Sequence, residues 1–136
     1  MVGIVIMSHG DCASGLLSAA SLIMGDLPLC KAVGLYPGES LEDFINKVRK
    51  VIEEFPNGVE VFCLVDLFGG TPANTAALLY EMRGHKCITG VNLPMLLEIL
   101  SSRETSNVDE LVAIGQEAGK RGILNLADAL ERQAQA

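Results

Sequence analysis

Two side chains with complementary chemistry follow apolar runs in distant parts of the chain. His9 comes shortly after the run Val2–Met7, and Asp66 comes directly after the run Val59–Val65. A neutral imidazole has one N–H and one lone pair, so a carboxylate that accepts the N–H leaves the other nitrogen free as a nucleophile. The pair therefore predicts a nucleophilic histidine, His9, whose ring Asp66 orients.

A glycine-rich turn follows Asp66 in the order Gly69, Gly70, Thr71, Pro72. Thr71 suits the N-cap of a helix and Pro72 its first position. Two glycines before a helix are also ordinary turn residues, but they allow backbone amides to converge on an anion. An exposed helix terminus stabilises an anion by only about 0.3–1 kcal/mol. We therefore expect a site that carries a phosphoryl group on histidine without trapping it.

Apolar runs and helical periods alternate along the chain and predict a succession of βα units. The predicted strands cover Val2–Met7, Lys31–Tyr36, Val59–Val65 and Cys87–Val91, with helices over Cys12–Met24, about 41–55, Pro72–Met82, about 94–100 and about 106–122. This order predicts a three-layer α/β/α fold with a four-stranded parallel sheet in the order 2-1-3-4. Ligands of such folds bind beyond the carboxyl ends of the strands, which is where His9 and Asp66 are expected.

Composition narrows the class of protein. The 136 residues are 49% hydrophobic and 20% charged, which indicates one folded domain spanning 1–136. The net charge of −7 makes nucleic acid an unexpected partner. No apolar run reaches the length of a membrane span, and no secretory signal is predicted. The four cysteines form no C-x-x-C pair, so we expect a cytoplasmic protein without a metal or cofactor.

Three motifs together resemble one family over essentially the whole chain. The stretches "IVIMSHG", "LVDLFGGTPAN" and "GVNLPMLLE" are similar in order and spacing to the mannose-type (mannose/fructose/sorbose) enzyme IIA of the bacterial phosphoenolpyruvate-dependent sugar phosphotransferase system. The resemblance implies that His9 accepts a phosphoryl group from phospho-HPr and that Asp66 hydrogen-bonds the histidine. It implies that Gly70 and Thr71 contact the phosphate. The group would then pass to a IIB component, which phosphorylates sugar entering through a membrane IIC/IID complex.

The sequence departs from this family pattern at two places. Leu67 follows the aspartate where relatives have a hydroxyl residue, so one phosphate contact would be missing. The chain ends at Ala136 without the linker and IIB domain of some relatives, so IIB is expected as a separate polypeptide. Phe68, Pro94 and Met95 are expected beside the crevice, where an apolar rim would suit protein docking.

The C-terminal segment predicts an assembly. Ile123–Leu126 is apolar and follows a helix that already covers its side of the sheet, whose strand edges invite pairing. The family forms dimers in which the C-terminal strand joins the partner's sheet antiparallel to the other strands, so we expect a symmetric homodimer. The alternative is that Asn125–Gln133 is a last helix packed on its own subunit.

Other functions stay open from sequence alone. The phosphocarrier subunit of dihydroxyacetone kinase shares the early histidine, and a regulatory module would bind phosphate without passing it on. A response-regulator receiver would use Asp66 as acceptor, but needs an acidic pair where this chain has "SHGD". A histidine phosphatase would have Arg in place of Ser8. Cys12 is expected in the first turn of a helix. His85 is expected on the surface. Mannose, fructose, sorbose and amino sugars all remain possible.

Overall fold

Strands and helices alternate over residues 1–135, the part of the chain that the computed structural model describes. The strands are β1 (Gly3–His9), β2 (Cys30–Leu35), β3 (Val61–Val65) and β4 (Cys87–Ile88). The helices are α1 (Cys12–Met24), α2 (Leu41–Glu53), α3 (Gly70–Arg83), α4 (Leu93–Ser102), α5 (Val108–Arg121) and α6 (Leu126–Gln135). Within these residues, no helix has both the length and the apolar character that crossing a membrane requires.

The sheet is parallel throughout and has the order β2-β1-β3-β4. The predicted strand order and α/β architecture are therefore confirmed. In the register, Met7 lies beside Val65, and His9 lies beside Leu35. The next residue after β3, Asp66, thus emerges at the same edge of the sheet as the end of β1. Strand order alone brings together two residues that lie 57 positions apart in the chain.

Alternate side chains of β1 enter two separate hydrophobic cores. Ile4 and Ile6 pack with residues of α1, α4 and α5, whereas Val5 and Met7 pack with residues of α2 and α3. All four are fully buried, as period-two geometry requires of a strand covered on both faces. The uninterrupted apolar run at the start of the sequence follows from this double burial.

Capping boxes mark where α2 and α5 begin. Ser40 and Asp43 form the capping box at the start of α2. At the start of α5, Asn107 and Glu110 form the capping box. Asparagine is as good an N-cap as serine, and the longer glutamate side chain reaches back to the N-cap amide.

The C-terminal segment ends in a helix in which none of the described residues is buried. Residues 123–125 are irregular, and none of the described residues 126–135 is buried. Ile123 is 78% exposed and Leu124 65% exposed. The expected strand Ile123–Leu126 is not formed within one chain, and Leu126 belongs to α6 because the Asn125 side chain caps that helix.

Candidate functional site

The end of β1 and the start of the β3–α3 loop build a hydrogen-bonded pair. The Oδ2 atom of Asp66 accepts the backbone N–H of His9 at 2.9 Å and lies 3.0 Å from Nδ1 of the same residue. An ionised carboxylate only accepts hydrogen bonds, so the contact assigns the ring proton to Nδ1. The lone pair of Nε2 is therefore free. The structure thus brings the two sequence-predicted residues together in the predicted geometry.

Exposure differs between the two members of the pair. The His9 side chain is 48% exposed, whereas that of Asp66 is 16% exposed. Among the described residues, none donates a hydrogen bond to the buried Oδ1 of Asp66. Both donors therefore converge on a single carboxylate oxygen, and this fixes the imidazole relative to its own backbone. The exposed part of the ring is left for a reaction partner.

The N-terminus of α3 lies against the free side of the imidazole. Gly69 (φ 112°) is its N-cap and Gly70 (φ 84°) its first residue. A Cβ atom on Gly70 would lie 3.1 Å from Nε2 of His9 and 3.0 Å from Cε1. Because only glycine adopts these two conformations readily, the helix starts earlier than predicted. Thr71 is its second residue, so its prediction as N-cap is wrong.

This helix terminus can receive an anion. Backbone N–H groups at the first positions of an α-helix have no partner within the helix, and its dipole favours negative charge there. Gly70 and Thr71 supply two such N–H groups, and no acidic side chain lies in the first turn. The Nε2 atom of His9 faces this terminus, so a group bonded to Nε2 would lie beside these N–H groups. The arrangement favours an anionic group on Nε2, such as phosphoryl.

Of the three residues predicted for the docking rim, Phe68 lies in the loop that borders this site. Phe68 is 87% exposed and the adjacent Leu67 56% exposed, and both lie in the β3–α3 loop next to His9. Pro94 is also exposed, at the start of α4. Met95 is only 4% exposed and packs in the core between α4 and the sheet. Its placement on the rim is therefore wrong, since the helical turn after Pro94 points it inward.

Two further groups lie at the site that sequence reasoning did not assign. Ser8 is fully buried, and its Oγ accepts the backbone N–H of Ala13 at 2.8 Å. Tyr36 donates its hydroxyl proton to Oδ1 of Asp11 at 2.5 Å, and this hydrogen bond raises the pKa of Tyr36. A serine at a buried position of an otherwise apolar strand was the signal for the first. No local pattern indicates the second.

The remaining candidate side chains lie outside this constellation. Cys12 is exposed at the first position of α1. His85 lies just before β4, at the opposite edge of the sheet, and burial with the nearby Arg83 charge lowers its pKa. Burial raises the pKa of Cys87 to about 12, which keeps it a thiol. In the described part of the chain, no three His, Cys, Asp or Glu residues are grouped as a metal site.

Fold and site together define a class: parallel α/β proteins with a carboxylate-oriented histidine placed against a helix N-terminus. A family model described as the PTS system fructose IIA component (EIIA-man) matches residues 3–115. The chain belongs to this family, the mannose-type enzyme IIA components of the phosphotransferase system.

Individual relatives agree with this assignment. The chain is 36% identical over 113 residues to the fructose-specific EIIA component of Bacillus subtilis, covering 82% of this chain and 77% of the relative. It is 35% identical over 138 residues to the mannose-specific EIIAB component of Escherichia coli K12, covering 99% of this chain. It spans only 43% of the length of that relative.

Solved structures show the same fold. An EIIA component from Streptococcus agalactiae superposes with a TM-score of 0.84 at 32% identity, covering 94% of this chain and 99% of the other. A mannose/sorbose-specific IIA subunit from Enterococcus faecalis gives a TM-score of 0.83 at 30% identity, with coverages of 91% and 93%. The family assignment thus has support from sequence and from structure.

The close approach of α3 to the imidazole predicts a specific effect of adding one methyl group. Gly70→Ala is expected to displace the His9 ring, which shifts its imidazole resonances in ¹⁵N NMR spectra. Gly69→Ala is the matched control, because its Cβ would meet no atom within 4 Å. Both variants should lose about 1–3 kcal/mol of unfolding free energy through backbone strain. Equal ring shifts in the two variants would contradict the contact.

Proposed function

We propose that this chain is a phosphoryl carrier of a sugar phosphotransferase system. His9 accepts the group from phospho-HPr and passes it to a IIB component, which serves a membrane IIC/IID complex. The observation that carries the proposal is the hydrogen bond from Nδ1 of His9 to Asp66, because it leaves the Nε2 lone pair facing the N-terminus of α3. Family membership supports the identity of the donor and acceptor.

The proposed transfer step uses this geometry. The Nε2 lone pair of His9 attacks phosphorus, and the bond from phosphorus to the donor atom breaks with its electron pair leaving on the donor. No proton has to move, because the Nδ1 proton stays in its hydrogen bond to Asp66. The phosphorylated ring carries a positive charge, which the carboxylate stabilises. The N–H groups of Gly70 and Thr71 are the proposed donors to the phosphoryl oxygens.

Delivery of the group requires a partner surface around His9. Leu67 and Phe68 are exposed in the adjoining β3–α3 loop, and apolar side chains at the centre of a contact are typical of protein interfaces. We propose that HPr and IIB bind in turn to this surface. The described cysteines are all free thiols, which supports the cytoplasm as the compartment.

The function is tested by phosphorylation in a reconstituted system. Incubation with phosphoenolpyruvate, enzyme I and HPr should raise the intact mass by one phosphoryl group in the wild type. His9→Ala should gain none, whereas the matched control His85→Ala should gain it normally. Subsequent addition of a IIB component should remove the group.

Two outcomes would contradict this assignment. Uptake by His9→Ala would exclude His9 as the acceptor, and loss of the added mass in alkali would indicate an acyl phosphate on an aspartate, since phosphohistidine is stable to base. Retention of the group in the presence of a competent IIB component would favour a regulatory module over a carrier.

Asp66 is expected to orient the nucleophile rather than receive the group. In Asp66→Asn the amide can present its N–H to the ring and favour the wrong tautomer. We expect uptake to slow by about 10²–10⁴-fold, the usual contribution of such groups, while the fold is retained. Asp11→Asn is the control, since Asp11 contacts Tyr36 rather than His9. Rapid-quench measurements that find equal rates of uptake in wild type and Asp66→Asn would remove Asp66 from the mechanism.

We further propose that the protein is a homodimer in which residues 123–125 of each chain extend the partner's sheet at β4. β4 lies at the end of the strand order, so its outer edge is unpaired within the described chain. A cavity of about 480 Å³ on its α3 side is lined in part by Ala73, Ala77 and Tyr80. A second of about 460 Å³ lies on its α5 side.

The alternation of side chains along a strand fits these two cavities. Neighbouring residues point to opposite faces of a sheet, so Ile123 and Leu124 of a partner would fill one cavity each. Both are exposed in the single chain. Burial of two such side chains stabilises an assembly by about 1.5–3 kcal/mol each, in addition to the backbone hydrogen bonds.

Light scattering at micromolar concentration should give twice the 14.4 kDa chain mass. Leu124→Asp should shift the equilibrium toward monomer by introducing a charge into an apolar cavity. Leu22→Asp is the matched control, because Leu22 is 89% exposed on α1, away from β4. Truncation before Gly122 should likewise give a monomer or an insoluble product. A soluble dimer of the truncated chain would exclude this segment as the link.

A further inference from the structure

One polar side chain is sealed inside the strand that carries the nucleophile. Ser8 is fully buried, on the same face of β1 as Ile4 and Ile6. Its Oγ accepts the backbone N–H of Ala13 at 2.8 Å and donates to the carbonyl oxygen of Gly10 at 3.3 Å. Both functions of the hydroxyl are therefore used, and both act on the turn that contains His9.

This hydroxyl replaces the usual cap of α1. Asp11 occupies the N-cap position of that helix but makes no side-chain capping bond. Its carboxylate accepts the Tyr36 hydroxyl proton instead. Ser8, three residues earlier, supplies the oxygen for the N–H of Ala13. A residue of the strand thus binds the first turn of the helix across the intervening turn.

We propose that Ser8 is a positioning residue for His9, acting through the backbone of this turn. Asp66 can bind the ring and the backbone N–H of His9 with one oxygen only if the His9 backbone is held in a single orientation. The hydroxyl of Ser8 holds the inner side of the turn. On the outer side, the N–H of Gly10 donates to the carbonyl oxygen of Leu35 at 2.8 Å. Ser8 itself touches neither Nε2 nor the transferred group.

The magnitude of the effect follows from the tolerance of a reacting geometry. Productive constellations are held to within about 0.5 Å and 10–20° by their supporting side chains. A displacement of about 1 Å costs about 10²-fold in rate. Loss of one of the two attachments of the turn should cost less, and we expect about 10-fold. The expected change in rate rests on the proposed phosphoryl transfer, whereas the expected change in the His9 ring does not.

Ser8→Ala and Ser8→Thr separate positioning from packing. Ser8→Ala should slow phosphoryl uptake about 10-fold at saturating phospho-HPr, with KM for the donor unchanged, because the residue lies below the docking surface. Ser8→Thr keeps the hydroxyl and should stay within about twofold of wild type. In ¹⁵N NMR spectra, His9 should show the Nδ1–H tautomer in wild type and Ser8→Thr, and a tautomer mixture in Ser8→Ala.

A control for general destabilisation is Ile99→Val, in the buried part of α4. It should lower the unfolding free energy without altering the rate or the tautomer. If Ser8→Ala is too unstable to purify, Ser8→Cys takes its place, since a thiol fills a similar volume but accepts hydrogen bonds weakly. A Ser8→Ala or Ser8→Cys protein with the wild-type rate and tautomer overturns the proposal, as does an equal effect in Ser8→Thr.

The tautomer spectrum also distinguishes two kinds of failure. If wild-type protein takes up no phosphoryl group, the proposed function fails. A tautomer mixture in Ser8→Ala then still supports the positioning role of Ser8. The wild-type Nδ1–H tautomer in Ser8→Ala overturns it.

Discussion

One carboxylate oxygen organises the site, because Oδ2 of Asp66 accepts both the backbone N–H and the ring Nδ1 of His9. The two bonds require β1 and β3 to be neighbours, and they require β1 to end at the level where β3 has just ended. They also place a carboxylate in a largely buried position, which costs free energy unless hydrogen bonds compensate for lost hydration. The remaining oxygen, Oδ1, is left without a donor among the described residues. The packing of the two hydrophobic cores therefore has to compensate for the free-energy cost of burying the Asp66 carboxylate.

Much of this arrangement could be predicted because the burial of a strand or helix determines the spacing of its apolar residues. The runs that became β1 and β3 are apolar at every position since both faces are covered, and α1 matched its predicted bounds from Cys12 to Met24. Parallel strands joined by helices allow few topologies. Once the order was predicted, His9 and Asp66 were expected at one edge. The chemistry of that edge followed from side-chain types alone.

The errors have a different origin, in backbone conformations and contacts that sequence pattern does not encode. Thr71 suits an N-cap, but Gly69 and Gly70 at positive φ start the helix before it. Met95 was expected on an apolar rim beside the crevice. Its position in the first turn of α4 directs its side chain into the core instead. Residues 123–135 satisfy both a strand and a helix pattern. The structure has a helix over Leu126–Gln135 with no buried residue, so burial does not select between the two patterns there.

The lack of positive charge in the loops around His9 suits weak rather than tight binding of an anion. The loops at the carboxyl edge of the sheet read SHGD, YPGES, DLFGG and TGVN, with no lysine or arginine. The helix start at Gly70 therefore offers a phosphoryl group only neutral N–H donors, whereas bidentate arginine would bind it far more strongly. Lys47, in α2, donates hydrogen bonds to Glu39 and to the carbonyl oxygen of Gly34. The structure thus separates the helix terminus that could receive an anion, at the start of α3, from the carboxylate that fixes the imidazole, Asp66.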